Sequence, residues 1–153
     1  GHSQEKLGIE YLPPHAQAEK SAYVAKHQDW RTMFNAIVMC IFANVEPDEQ
    51  VKMMNAACGL NWTLDELMRS GERAWNLKRA INNRMGLTAE NDKLPKALLE
   101  PFPDGGSAGF VPDLKGMLFT YYEARGWDFE TGKPSREKLS ELRLEDVAID
   151  LWG

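Results

Sequence analysis

Side chains able to do chemistry are few and scattered in this chain. Cys40 and Cys58 are its two cysteines, and His2, His15 and His27 are its three histidines. Imidazoles so widely spaced do not read as a metal triad, and His27, with no partner in view, reads as an amphipathic or core histidine rather than a base. There is no glycine-rich phosphate loop, no HExxH, no Gly-x-Ser-x-Gly and no CxxC pair. Glu66 follows Thr63 at the spacing of a helix cap. Glu72, Arg73 and Asn76 read as a solvated helix face or an interhelical polar network before they read as catalytic groups. Cys40 is the group of most interest. A thiol in an apolar stretch is ordinarily a small hydrophobe that packs. Its other use is as a distant ligand, because a cluster held by four thiolates often takes three from a close CxxCxxxC-type run and one from far along the chain. Cys58 ends a short helix with Met54 and Ala57 before Gly59, where packing is the simpler account.

The elements that must carry these groups are helical almost throughout. From Tyr23, the positions Tyr23, Trp30, Phe34, Ile37 and Ile41 keep one helix face. Residues 33–43, MFNAIVMCIFA, contain one polar side chain, Asn35, so this helix is expected to run on to Ala43, apolar nearly all round, enclosed and central. Pro47 then opens a short helix with Val51, Met54 and Ala57 facing inward until Gly59. Thr63 and Glu66 form a capping box for a third helix. Its expected buried stripe is Leu64, Leu67, Met68, Trp75, Ile81 and Met85, with Gly86 left-handed after the last turn. Gly71 interrupts that helix at a cost of about 1 kcal/mol relative to alanine, which marks a close helix–helix approach. Residues 87–111 are rich in Pro and Gly and should run as a long extended surface connection with about one helical turn. Pro112 starts a fourth helix carrying Leu114, Met117, Leu118, Tyr121 and Tyr122 up to Gly126. Ser135 caps a last short one, which Leu139, Leu142 and Leu144 fold back onto the core. No strand pattern and no repeat is present. The expected architecture is all-α, an irregular bundle of about five to six helices forming a single domain over residues 1–153.

Composition narrows the function classes. With 153 residues and 43% hydrophobic content the chain can bury one ordinary core. A net charge of -5 with acids and bases interspersed argues against a nucleic-acid surface. No stretch reaches the length of a membrane span and no secretion signal opens the chain. Two cysteines in apolar surroundings suit a reducing compartment, so cytoplasm is expected. Gly1, His2 and Ser3 read as a cloning remnant, and without an initiator methionine the sequence reads as a fragment of a larger protein.

Three runs carry a resemblance: GERAWNLKRAINNRMGL, NDKLPKALLEPFPDG and LKGMLFTYYEARGWDFETGKPSREKLSEL. Their landmarks follow in order: GER-x-WNL-x-R, N-x-R-x-G, D-x-LP, YYE-x-RGWD, and G-x-P before a Leu-rich helix. The chain resembles the C-terminal helical region of the tungsten-containing aldehyde:ferredoxin oxidoreductases. That resemblance implies a parent enzyme with a [4Fe-4S] cluster beside tungsten, or molybdenum, held by two pyranopterins. The parent would oxidise a small aldehyde to a carboxylic acid and pass electrons to ferredoxin. The family's D-x-x-G-L-C motif falls on Asn35 to Cys40, which makes Cys40 the match to the fourth cluster ligand. Asn35 and Met39 match pterin-contacting positions. Asn35 stands where the family has Asp, Val38 where it has Gly and Met39 where it has Leu. An amide lacks the charge that best accepts from pterin NH groups, and Val38 crowds an approach that Gly permits. The cysteine trio and the active-site acid and histidine would lie upstream of Gly1, so this chain alone is expected to bind neither cofactor and to be inactive. Its expected partners are the N-terminal remainder of the enzyme and, through the exposed apolar run, a second copy. The alternatives are a diverged family member with a different substrate, or a non-catalytic helical interaction or oligomerisation module.

Overall fold

The computed structural model describes residues 2–43 and 45–153, without the side chains of His2 and Ser3. Gly1 and the side chains of His2 and Ser3, on which the expected remnant and the His2 imidazole fall, therefore lie outside what is described. Among the described residues there are seven α-helices: α1 His2–Lys6, α2 Ser21–Ala36, α3 Pro47–Cys58, α4 Leu64–Arg84, α5 Leu114–Arg125, α6 Arg136–Glu141 and α7 Glu145–Trp152. Five 3-10 turns join them, and among the described residues pairing is limited to two isolated bridges. The architecture is all-α, as the periodicity predicts. The count exceeds the expected five to six because α1 is an added turn and the last helix is broken in two at Arg143, whose φ is 57°.

The longest helix explains the packing. Thr63 Oγ1 accepts from the Glu66 amide at 3.3 Å while the Glu66 carboxylate accepts from the Thr63 amide at 2.7 Å, so the expected capping box sets the start of α4. Leu67 is fully buried against Trp30, Met33 and Phe34 of α2. The two helices approach so closely that a Cβ on Gly71 would lie 2.0 Å from the Asp29 carbonyl oxygen. Glycine at 71 is thus required by contact. Toward the C-terminal end of α4 the stripe expectation fails: Ile81 is exposed and Met85 is 78% exposed. Here α4 meets α7 instead: Leu77, Ala80 and Ile81 line one groove with Val147 and Leu151, and Arg84 pairs with Asp150 at 2.7 Å, which leaves Ile81 and Met85 largely uncovered. On α3, Val51 is buried as expected but Ala57 is exposed.

Leu139, Leu142, Leu144 and Ala148 form a second cluster under α6 and α7. The connection at 87–111 runs over the surface with three 3-10 turns, at Ala89–Asn91, Lys96–Leu98 and Gly105–Ser107, rather than one. It is clipped at both ends. Arg79 of α4 pairs with Asp92 at 2.7 Å, while the ring of His15 lies 4.5 Å from that of Phe110 and its Nε2 lies 3.1 Å from the Ser107 hydroxyl.

Candidate functional site

Asn35, Met39 and Cys40 sit at the point where α2 stops. The expected continuous helix to Ala43 is not formed: α2 ends at Ala36. The Met39 amide donates to the Phe34 carbonyl at 2.8 Å and the Val38 amide to the Asn35 carbonyl at 3.3 Å. These are the paired bonds of a Schellman turn, which satisfies carbonyls that the helix end would otherwise orphan. The turn needs its central residue left-handed, and Val38 has φ 56°. The resemblance implies glycine at this position, a residue that adopts the left-handed conformation without strain. A β-branched side chain there is strained.

The turn reverses the expected burial. Met33 and Phe34 are buried, but Val38 is 92% and Phe42 90% exposed, and Ile41 is exposed as well. Cys40, expected in an enclosed helix, lies in the turn as a free, exposed thiol. Asn35 is exposed on the last turn of α2. Met39 is half-buried against the cluster of Trp30, Met33 and Phe34, and its amide is committed to Phe34. Asn35, Val38 and Cys40 thus share one exposed helix end, with Met39 as its anchor. The apolar run is amphipathic about the turn: its first half packs in the core and its second half forms an apolar rim.

The remaining candidates go elsewhere. Cys58 is exposed at the end of α3, so the expectation that it packs is overturned; α3 presents that face to solvent. His27 lies edge-on to Trp30 at 5.6 Å and accepts from Arg31 Nε at 3.5 Å. Burial, with the Arg31 charge, pushes its pKa down, which describes a neutral imidazole beside a cation. Glu66 is a cap.

The sequence landmarks converge on scaffold. Arg125 of YYE-x-RGWD is buried and donates to Asp29 at 2.5 Å, to the Ala25 carbonyl at 2.8 Å and to Gln28 at 2.9 Å. Burial outweighs this pairing at Asp29, whose carboxyl is pushed up to about 6. Trp127 of the same landmark donates to Asn76 Oδ1 at 2.8 Å, and Trp75 donates to the Tyr121 hydroxyl at 2.8 Å. Arg79 donates to the Gly132 carbonyl at 2.7 Å and to Tyr122, whose hydroxyl also bonds Asp92. Burial and the Asp92 bond push the Tyr122 phenol up to about 12. So Glu72, Arg73 and Asn76 belong to an interhelical network, with Lys138 Nζ at 3.0 Å from Glu72 and Arg73 donating to the Arg143 carbonyl at 3.0 Å. The buried pair Asp29–Arg125 went unseen in sequence, because nothing local links residues 96 positions apart.

Comparison with known proteins places the chain in a family. Residues 2–144 match the family model described as aldehyde ferredoxin oxidoreductase, domains 2 and 3. The chain is 41% identical over 150 residues to the tungsten-containing aldehyde ferredoxin oxidoreductase of Pyrococcus horikoshii, covering 94% of this chain and 24% of that protein. It is 40% identical over 150 residues to the protein of that name from Pyrococcus abyssi, with coverage of 94% and 24%. For the Thermococcus kodakarensis protein of that name, the values are 37% over 150 residues, with coverage of 94% and 25%. The chain therefore spans about a quarter of the length of the curated relatives it matches. With the match running from α1 to the turn before α7, this all-α chain belongs to the aldehyde ferredoxin oxidoreductase family, in the region of its domains 2 and 3.

Proposed function

We propose that this chain is the C-terminal helical part of a tungsten-containing aldehyde:ferredoxin oxidoreductase and that Cys40 supplies one thiolate to a [4Fe-4S] cluster shared with the rest of the enzyme. The observation that carries this reading is the exposed thiol of Cys40 on the helix-ending turn, inside the matched region. Among the described residues no three His, Cys, Asp or Glu side chains gather as a metal site, so the other thiolates of such a cluster would have to come from another part of the protein. When bound, the cluster and a tungsten or molybdenum bis-pyranopterin supply the redox chemistry that turns an aldehyde into a carboxylic acid and passes electrons to ferredoxin. The chain's own residues position and shield. Asn35 offers an amide hydrogen bond to a pterin edge, and Met39 locks the turn into the core. Val38, Ile41 and Phe42 form a rim that would exclude water once the N-terminal remainder covers it. An uncovered rim would bring two copies of the isolated chain together, so a homodimer is expected of it in solution.

The test compares the protein carrying an upstream CxxCxxxC-type segment with its Cys40→Ser variant. Wild type should hold about four irons per cluster and show the paramagnetic signal of a reduced cluster, and Cys40→Ser should lose both. Retention of a full cluster by the variant overturns the assignment. Separately, the 153-residue chain alone should not reduce a viologen dye with an aldehyde. Stoichiometric iron, tungsten or molybdenum together with dye reduction would refute the view that this part is incompetent by itself.

A further inference from the structure

A second exposed site lies on α4, where Arg69 and Arg73, one helical turn apart, face Arg143 in the turn between α6 and α7. The groove between them has a volume of about 390 Å³ and is also lined by Ser70, Trp62 and Glu66. Among the described residues none of the three arginines pairs with a carboxylate. Acids outnumber bases in this chain, whose net charge is -5, yet no carboxylate answers this cluster. Like charges at this helical spacing repel. Two of the guanidiniums are nonetheless held in place, because Arg69 donates to the Glu141 carbonyl and Arg73 to the Arg143 carbonyl. Each such bond uses one of five guanidinium donors and leaves the rest of a fixed fork for a ligand.

Arg143 adds an independent observation. It occupies the left-handed position of the turn after α6, φ 57°, in the same pair of bonds seen at Val38: the Leu144 amide to the Leu139 carbonyl at 2.8 Å, and its own amide to the Ser140 carbonyl at 3.0 Å. Gly86 and Gly126 hold the corresponding places after α4 and α5. An arginine tolerates this conformation at a cost that glycine avoids. Its backbone closes the turn, but its side chain, exposed over the groove, makes no hydrogen bond or ion pair among the described residues.

We propose that this groove binds a phosphate dianion, as the free ion or as a monoester. Charge selects the class. Three guanidiniums stand against one carboxylate, Glu66, whose Oε2 is already committed to the Thr63 amide and hydroxyl. The excess matches a phosphate monoester, which carries about -1.5 to -2 near neutral pH, and overmatches a monocarboxylate. The paired donors of each guanidinium fit phosphate oxygens, and the Ser70 hydroxyl adds a neutral donor. Trp62 offers an apolar wall to the organic part of an ester.

The test is isothermal titration calorimetry on the full chain at constant ionic strength, with inorganic phosphate, phenyl phosphate and acetate as probes. Wild type should bind phosphate saturably, with acetate about tenfold weaker or more, and tighter binding of phenyl phosphate assigns the monoester over the free ion. The decisive variant is Arg143→Gly. It should raise the unfolding midpoint by relieving the left-handed strain, so it remains folded, and weaken phosphate about tenfold or more. Arg143→Lys should recover only part of that loss. Absence of saturable phosphate binding to wild type, equal binding of acetate, or undiminished binding by Arg143→Gly overturns the proposal.

Discussion

Replacing Gly71 with alanine adds one methyl group where a glycine Cβ would come closest to another atom among the described glycines. The new Cβ would lie 2.0 Å from the Asp29 carbonyl oxygen and 2.7 Å from its carbon, whereas ordinary van der Waals contact begins at 3.4 Å. The obstacle is the backbone of α2, so no rotamer change relieves it, and α2 and α4 must separate by about 1.4 Å at this point. Two consequences follow. Trp30, Met33 and Phe34 lift off Leu67, a loss of close packing that costs about 1–3 kcal/mol. Asp29 is also displaced relative to Arg125, whose 2.5 Å contact is buried. Weakening that pair brings the total to about 3–5 kcal/mol, a large share of the ~5–15 kcal/mol that holds a domain folded. The Tm should fall by roughly 10 °C or more for a chain of this size. Gly86→Ala is the matched control. Its Cβ would meet nothing within 4 Å, but its φ is +96°, so the cost is conformational alone, about 1–2 kcal/mol. Urea and thermal unfolding followed by far-ultraviolet circular dichroism would rank the two. A Gly71→Ala chain melting within about 2 °C of wild type, or one more stable than Gly86→Ala, would refute the reasoning.

Three further outcomes are expected. Val38→Gly should stabilise the chain by about 0.5–1 kcal/mol, since relief of left-handed strain exceeds the added chain entropy of glycine while Val38→Ala should not; urea midpoints decide it. The Asp29 carboxyl titrates near 6 in the folded chain, above its ordinary 3.8, so its contribution to stability is fully present below 3.8 and is lost as pH rises through 6. Denaturation midpoints taken across that interval should show a decline that Asp29→Asn flattens. Arg79→Met removes the clamp on Asp92, Tyr122 and Gly132, so chymotrypsin should cut within residues 87–111 faster than in wild type while the helical content is kept.

What was legible in the sequence was punctuation and order. Thr63 with Glu66, Pro47, Ser135, Gly86 and Gly126 each act through neighbours within a few residues, so the helix ends they dictate could be read directly. Gly71 was legible too, because a glycine inside a strong helix needs a reason. The landmarks shared with the aldehyde ferredoxin oxidoreductase family followed from order alone. Burial was decided elsewhere. The run from Met33 to Ala43 looks uniformly apolar, yet hydrophobicity cannot say what surface exists to cover it: the chain encloses Met33 and Phe34 and half-buries Met39, but leaves Val38, Ile41 and Phe42 exposed. Beyond that residue a Schellman turn through Val38 ends the helix and leaves Cys40 exposed, which the pattern could not show because valine is not a left-handed residue by preference. The pairing of Asp29 with Arg125 and the meeting of Arg69, Arg73 and Arg143 join residues far apart in the chain. Local propensity sets where helices begin and end. Which side chains meet, and which face outward, is set by the packing of α2 on α4 and of α6 and α7 against them.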